Sequence, residues 1–85
     1  MKKPNPHLKR AFLEVVENQL EANDPPETRE TLTRLISEGI SEDNAKIYIA
    51  QAVCVEVYHA LKHKQEFNLQ RYLKNLKRLP EEPAE

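Results

Sequence analysis

One glycine in 85 residues excludes the glycine-rich loops that cradle phosphates or dinucleotides. A single cysteine, Cys54, excludes an internal disulfide, a disulfide scaffold and a zinc finger built on several thiolates. It also suits a reducing compartment. No apolar run follows the basic start M-K-K-P-N-P, so no secretory signal is expected and the expected location is cytoplasmic. The most apolar stretch is interrupted by Lys46, Gln51 and Glu56, which speaks against a membrane span. Strand-like alternation, internal repeats and low-complexity segments are missing. What remains is one helical domain over residues 1–85. Its ordered core is expected at about 6–79, and a flexible acidic tail at 80–85. A chain this short buries only about 60–65% of its unfolded surface, so its core is small.

The net charge of −1 is unevenly distributed. Residues 1–10 carry +4 and residues 11–43 carry −7. Residues 44–79 carry +5, and the tail adds −3. An acidic half followed by a basic half describes a folded domain balancing itself better than it describes a nucleic-acid binder.

The residues from Ser41 to Lys64 form the stretch around which the rest is organised. At 100° per residue, Ile47, Ala50, Cys54, Val57 and Leu61 cover one side of a helix. Ile49, Val53 and Ala60 cover a second, and Tyr48, Val55 and Tyr58 a third. A helix apolar on nearly every side is expected to be wrapped by the others. It is therefore expected to be the most buried element, with Val53, Cys54, Val57 and Leu61 in the core. Ser41 caps its start, Glu42 and Asp43 suit its positive end, and Lys62, His63 and Lys64 suit its negative end.

Before it, Asn5 and Pro6 open a first helix to about residue 22. Leu8, Ala11, Phe12, Val15 and Val16 recur at helical spacing, with Leu20 at the edge. Asp24, Pro25 and Glu27 read as a capping box opening a second helix. Its apolar positions are Leu32, Leu35 and Ile36, with Thr28 beside them. Gly39 ends it, and Ile40 folds back onto Leu35 or Ile36. After the central helix, Gln65 and Glu66 form a short connection and Phe67 is expected to pack back. Asn68 caps a fourth, shorter helix with the stripe Leu69, Tyr72, Leu73 and Leu76, which Leu79 can extend. Short connections set neighbouring helices roughly antiparallel. The fold class is all-α: a compact antiparallel bundle of three main helices plus a short fourth.

Chemistry-bearing residues are sparse. Glu56, His59 and His63 share one narrow face of the central helix with Ala45 and Ala52. A Glu-x-x-His pair with a second histidine one turn on can converge on a metal, so these three are the candidate metal ligands. The plainer reading makes Glu56 a half-buried carboxylate paired with a lysine, tyrosine or histidine, and the histidines surface residues near a helix end. Glu14 and Glu17 could add carboxylates only if the first helix turned its polar side inward. Ser37, Ser41, Cys54 and the three histidines have no triad spacing, so no catalytic residue is assigned and no cofactor is implied. Ser41 is better read as a cap and Cys54 as core. Arg71, Lys74, Lys77 and Arg78 are expected outward on the fourth helix near Lys62 and Lys64, where such a strip could meet phosphates. It lacks the glycine and aromatic pattern of common RNA modules. A helix-turn-helix around Gly39 is disfavoured because its second helix is too apolar to read a groove.

The segments V-V-E-N-Q-L (15–20), D-P-P-E-T (24–28), R-L-I-S-E-G-I (34–40) and R-Y-L…L-K-R-L-P (71–80) resemble a bacterial family of small helical proteins with no assigned activity. The resemblance runs from about His7 to Pro80 and implies the bundle but no chemistry. Many members of that family carry a histidine four residues before the position of Glu17 and another near the start of the central helix. This chain has Leu13 and Ile47 there. The resemblance thus implies that any metal site built on those histidines is lost.

The expected function is that of a small cytoplasmic helical domain acting through protein contacts, by binding a partner or its own copies. The alternatives are a metal-binding domain using Glu56, His59 and His63, and a weak nucleic-acid binder using the fourth helix.

Overall fold

The computed structural model describes residues 6–83, with side chains from Leu8 onward. The expected cap at Asn5 and the final residues of the acidic tail lie outside the described residues. Four helices follow in order: α1 (Pro6–Ala22), α2 (Pro26–Ser37), α3 (Glu42–His63) and α4 (Leu69–Arg78). Among the described residues there is no strand, and the fold is an all-α bundle. No helix among them is long and apolar enough to cross a membrane.

Local chemistry sets most of the helix ends. The Ser41 side chain accepts a hydrogen bond from the Asn44 N–H at 3.2 Å, and that of Asn68 accepts one from the Arg71 N–H at 3.0 Å. Each satisfies an orphan donor of a first turn. Gly39 has φ +96°, a conformation that glycine adopts without steric cost. The Ile40 N–H then donates to the Leu35 carbonyl and the Gly39 N–H to that of Ile36, which is the Schellman arrangement. The start of α2 corrects the expected capping box. Pro25 holds the cap position, no side chain caps the helix, and the first helical residue is Pro26. Neither proline offers an N–H, so the carbonyl of Pro25 receives its first donor from Thr28.

α3 touches all three other helices and is the central element. Glu17 of α1 lies 3.0 Å from Lys46 of α3, while Leu8 and Phe12 line a groove with Ala50 and Cys54. α1 therefore runs antiparallel to α3. The core is built from Val16 and Leu20 of α1, Leu32 and Leu35 of α2, Ile49 and Val53 of α3, and Tyr72, Leu76 and Leu79 around α4. Ala45 and Ala52 are fully buried, and small side chains at these contacts let neighbouring helices approach α3 closely. The radius of gyration, 12.3 Å, is close to the roughly 12 Å expected for a compact chain of this length.

The buried side of α3 is not the one the apolar pattern favours. It carries Ala45, Ile49, Ala52, Val53 and Glu56. Leu61 is 75% exposed and Cys54 only half-buried, so two of the four expected core residues are corrected, while Val57, also half-buried, packs against the core. The reason is first angular, since Cys54 and Leu61 lie opposite the side that carries Ala45, Ile49, Ala52 and Glu56, and for Leu61 it is also axial. The antiparallel register through Glu17 and Lys46 brings the first turn of α1 only to about residue 57. Leu61 lies beyond the reach of any described residue of α1. Residues 61–70 are all exposed, so the end of α3 and the link to α4 overhang the bundle.

Smaller corrections have the same origin. Leu8 and Ala11 at the start of α1, Ile36 near the end of α2 and Leu69 at the start of α4 are exposed, while positions nearer the helix centres are covered. Phe67 keeps 40% exposure but meets Tyr72 edge-on, with ring centroids 5.4 Å apart.

Candidate functional site

Glu56 is fully buried, and its partner is neither lysine, tyrosine nor histidine. Arg71 donates from Nε to Oε2 at 2.8 Å and from a terminal nitrogen to Oε1 at 2.7 Å. The Asn68 N–H donates to Oε1 at 2.7 Å. The carboxylate of α3 thus accepts the N–H of the residue that caps α4, the part that a glutamate at the third helical position plays within a capping box. Burial pushes the Glu56 carboxyl up. The hydrogen bonds from Arg71 and Asn68, with the nearby guanidinium charge, more than offset this and hold it below its ordinary 4.5.

Arg71 corrects the expected basic strip. It faces inward, and one terminal nitrogen also lies 2.7 Å from Nδ1 of His59. The spacing within α4 does not signal this: at 100° per residue Arg71 falls about 20° from the exposed Arg78, and Asn75, one turn on, is buried. Lys74, Lys77 and Arg78 remain exposed around a surface hollow of about 600 Å³ that also includes Asn68 and Gln70. Arg78 is 3.7 Å from Glu81.

Of the candidate metal ligands, Glu56 and His59 meet on Arg71, and His59 and His63 pair through their rings at 4.3 Å between centroids. Among the described residues no group of three or more His, Cys, Asp or Glu side chains is placed to hold a metal ion. Glu17 is committed to Lys46, which also meets Glu42 at 3.2 Å, and Glu14 is exposed. The hydrogen bond to Glu17 raises Lys46 above its ordinary value, against a smaller opposing effect of burial.

A second polar cluster ties three helices together. Gln19 Oε1 accepts from the Thr28 hydroxyl at 2.6 Å and from the Tyr72 hydroxyl at 2.7 Å. Among the described residues no buried side-chain nitrogen or oxygen lacks a hydrogen-bond partner. The interior polar groups are used in holding the fold.

The apolar surface is more distinctive. Directly opposite the buried side of α3, Ile47, Cys54, Tyr58 and Leu61 form one stripe about 21 Å long at 1.5 Å per residue. Its first half borders a groove of about 440 Å³ shared with α1 and lined by Leu8, Phe12, Leu13, Ile47, Ala50 and Cys54, with Lys9 and Gln51. Its second half projects: Tyr58 is 60% and Leu61 75% exposed, and Leu8 across the groove is 55% exposed. Leu13 and Ile47, far apart in sequence, come together in this groove. Comparison with protein-family models, curated proteins and solved structures gives no significant match.

Proposed function

We propose that this chain is a helical protein-contact module that self-associates through the apolar face of α1 and α3. One observation carries the reading. The side of α3 turned away from the core carries Ile47, Cys54, Tyr58 and Leu61, interrupted by Gln51, and side chains as large as Tyr58 and Leu61 are exposed on it. Contiguous exposed apolar surface marks an interaction site more often than isolated apolar residues do. The polar groups that could have carried chemistry, Glu56, Arg71 and His59, are engaged with one another. A cytoplasmic location and kinship with the small bacterial helical proteins belong to the same proposal.

Native mass spectrometry and sedimentation across a range of concentrations test it. The wild-type chain is expected to form dimers. Leu61→Glu, which places a charge on the exposed stripe without entering the core, is expected to be monomeric with unchanged helical content. A wild-type chain that stays monomeric at every concentration overturns the proposal.

A further inference from the structure

We infer that two copies pair antiparallel through this face, about a two-fold axis passing close to Cys54; the inference rests on the self-association reading and gives it a geometry. Ile47 and Leu61 lie seven residues to either side of Cys54 on one stripe. An antiparallel copy centred there sets Leu61 of each chain beside Ile47 of the other. The shapes then complement each other. Leu61 projects from the overhanging end of α3, and the groove lies on the other side of Cys54, running from there to Leu13 and Ile47. A two-fold contact must be self-complementary, and a face with a ridge at one end and a groove at the other meets that requirement only head to tail.

Charge selects the same orientation. Because α1 and α3 are antiparallel, the C-terminal half of α1 shares one end of the layer with the start of α3. That end carries Glu17, Glu21, Glu42 and Asp43 around Lys46, which pairs with Glu17 and Glu42, and it stays net acidic. The opposite end carries Lys9, Arg10, Lys62 and Lys64. An antiparallel copy sets acidic end against basic end twice, and opposed helix dipoles reinforce it. A parallel copy would stack like charges at both ends. These groups are exposed and screened, so they fix orientation while apolar burial supplies affinity. A stable interface takes about 800 Å² per partner. The molecule's accessible surface is 6142 Å². An interface of that size would take about an eighth of it.

Cross-linking with a short bifunctional maleimide tests the geometry. Two single-cysteine proteins are made, Cys54→Ala/Ile47→Cys and Cys54→Ala/Leu61→Cys, and checked for wild-type helicity and dimer content. Wild-type Cys54 is expected to link to its own copy. The two variants are expected to link when mixed, while Leu61→Cys alone gives little product, its two thiols being about 21 Å apart. Strong self-linking of Leu61→Cys with none in the mixture overturns the antiparallel geometry and leaves self-association standing. Retained dimers with no link at any of these positions place the contact on another face and overturn the inference. A chain that is monomeric throughout overturns the inference together with the reading beneath it.

Discussion

Glu56 and Arg71 are fifteen residues apart and make two hydrogen bonds, at 2.8 and 2.7 Å, that fasten the start of α4 to the side of α3. The same carboxylate takes the Asn68 N–H, so one buried side chain neutralises a half-buried cation and completes a helix cap. A buried ion pair is not in itself a large source of stability, since both partners lose hydration. Removing one partner is costly, because it strands the other. Arg71→Ala is therefore expected to destabilise the fold by about 3–5 kcal/mol. Asn68→Ala, which loses the cap alone, should cost about 1 kcal/mol. Urea denaturation measures both, and equal losses for the two variants would show that the pair is not the fastening element.

The core assignment gives a second contrast on one helix. Ile49 is fully buried, and Ile49→Ala should cost about 2–5 kcal/mol through lost burial and the cavity left behind. Leu61→Ala should change folding stability by no more than about 0.5 kcal/mol. The comparison belongs at protein concentrations low enough to keep the chain monomeric, because association would otherwise stabilise the folded state. Similar losses at the two positions would contradict the overhang of α3.

These two residues also show what the sequence makes legible. The Ser41 and Asn68 caps and the Gly39–Ile40 turn are local, each a few atoms recognising their own backbone neighbours, and their spacing was enough to place them. A helical wheel reports angle but neither which face is packed nor how far a neighbour extends, so Leu61 reads as core although it lies opposite Ala45, Ile49 and Glu56 and beyond the described residues of α1. Nor does it rank faces. Ala45, Ala52 and Glu56 read as a weakly apolar side, yet small residues are what a tightly wrapped helix needs. The Glu56–Arg71 pair depends on two helices meeting, and nothing within either helix states that. At α2, two consecutive prolines moved the start by one residue and left Asp24 without its capping role.

Stability should fall at both extremes of pH, for separate reasons. Glu56 titrates below its ordinary 4.5 in the folded state. A depressed carboxyl contributes stability that is present above 4.5 and lost as pH falls from there through the folded value. Tyr72 is raised above 10.0 by burial, against the opposing effect of its hydrogen bonds with Thr28 and Gln19, and Lys46 above 10.5 mainly by its hydrogen bond to Glu17. Raised groups contribute stability that is present below their unfolded values and lost as pH rises through the folded ones. Urea midpoints from about pH 3 to about pH 11 are expected to give a plateau with a fall on each side. Glu56→Gln should lower the plateau and flatten the acid limb only. An acid limb unchanged by that substitution would assign it to other carboxylates.

The cluster of Gln19, Thr28 and Tyr72 makes a prediction about order. Gln19 Oε1 is the shared acceptor of two hydroxyls, and those hydroxyls lie 3.4 Å from each other. Tyr72→Phe removes one donor and leaves Gln19 still paired with Thr28, so it should cost about 0.5–1.5 kcal/mol, the worth of one hydrogen bond. Gln19→Leu removes the acceptor from both. The two hydroxyls then have only a long contact with each other, and an unsatisfied buried group costs about 1–3 kcal/mol. Gln19→Leu should therefore destabilise more than Tyr72→Phe, although leucine keeps most of the side-chain volume. The double variant should lose less than the two single losses added together, because the Tyr72 hydroxyl is no longer there to be stranded. Equilibrium denaturation of the four proteins closes the cycle. Strict additivity, or a larger loss for Tyr72→Phe than for Gln19→Leu, would mean that Gln19 is not the acceptor that joins α1, α2 and α4.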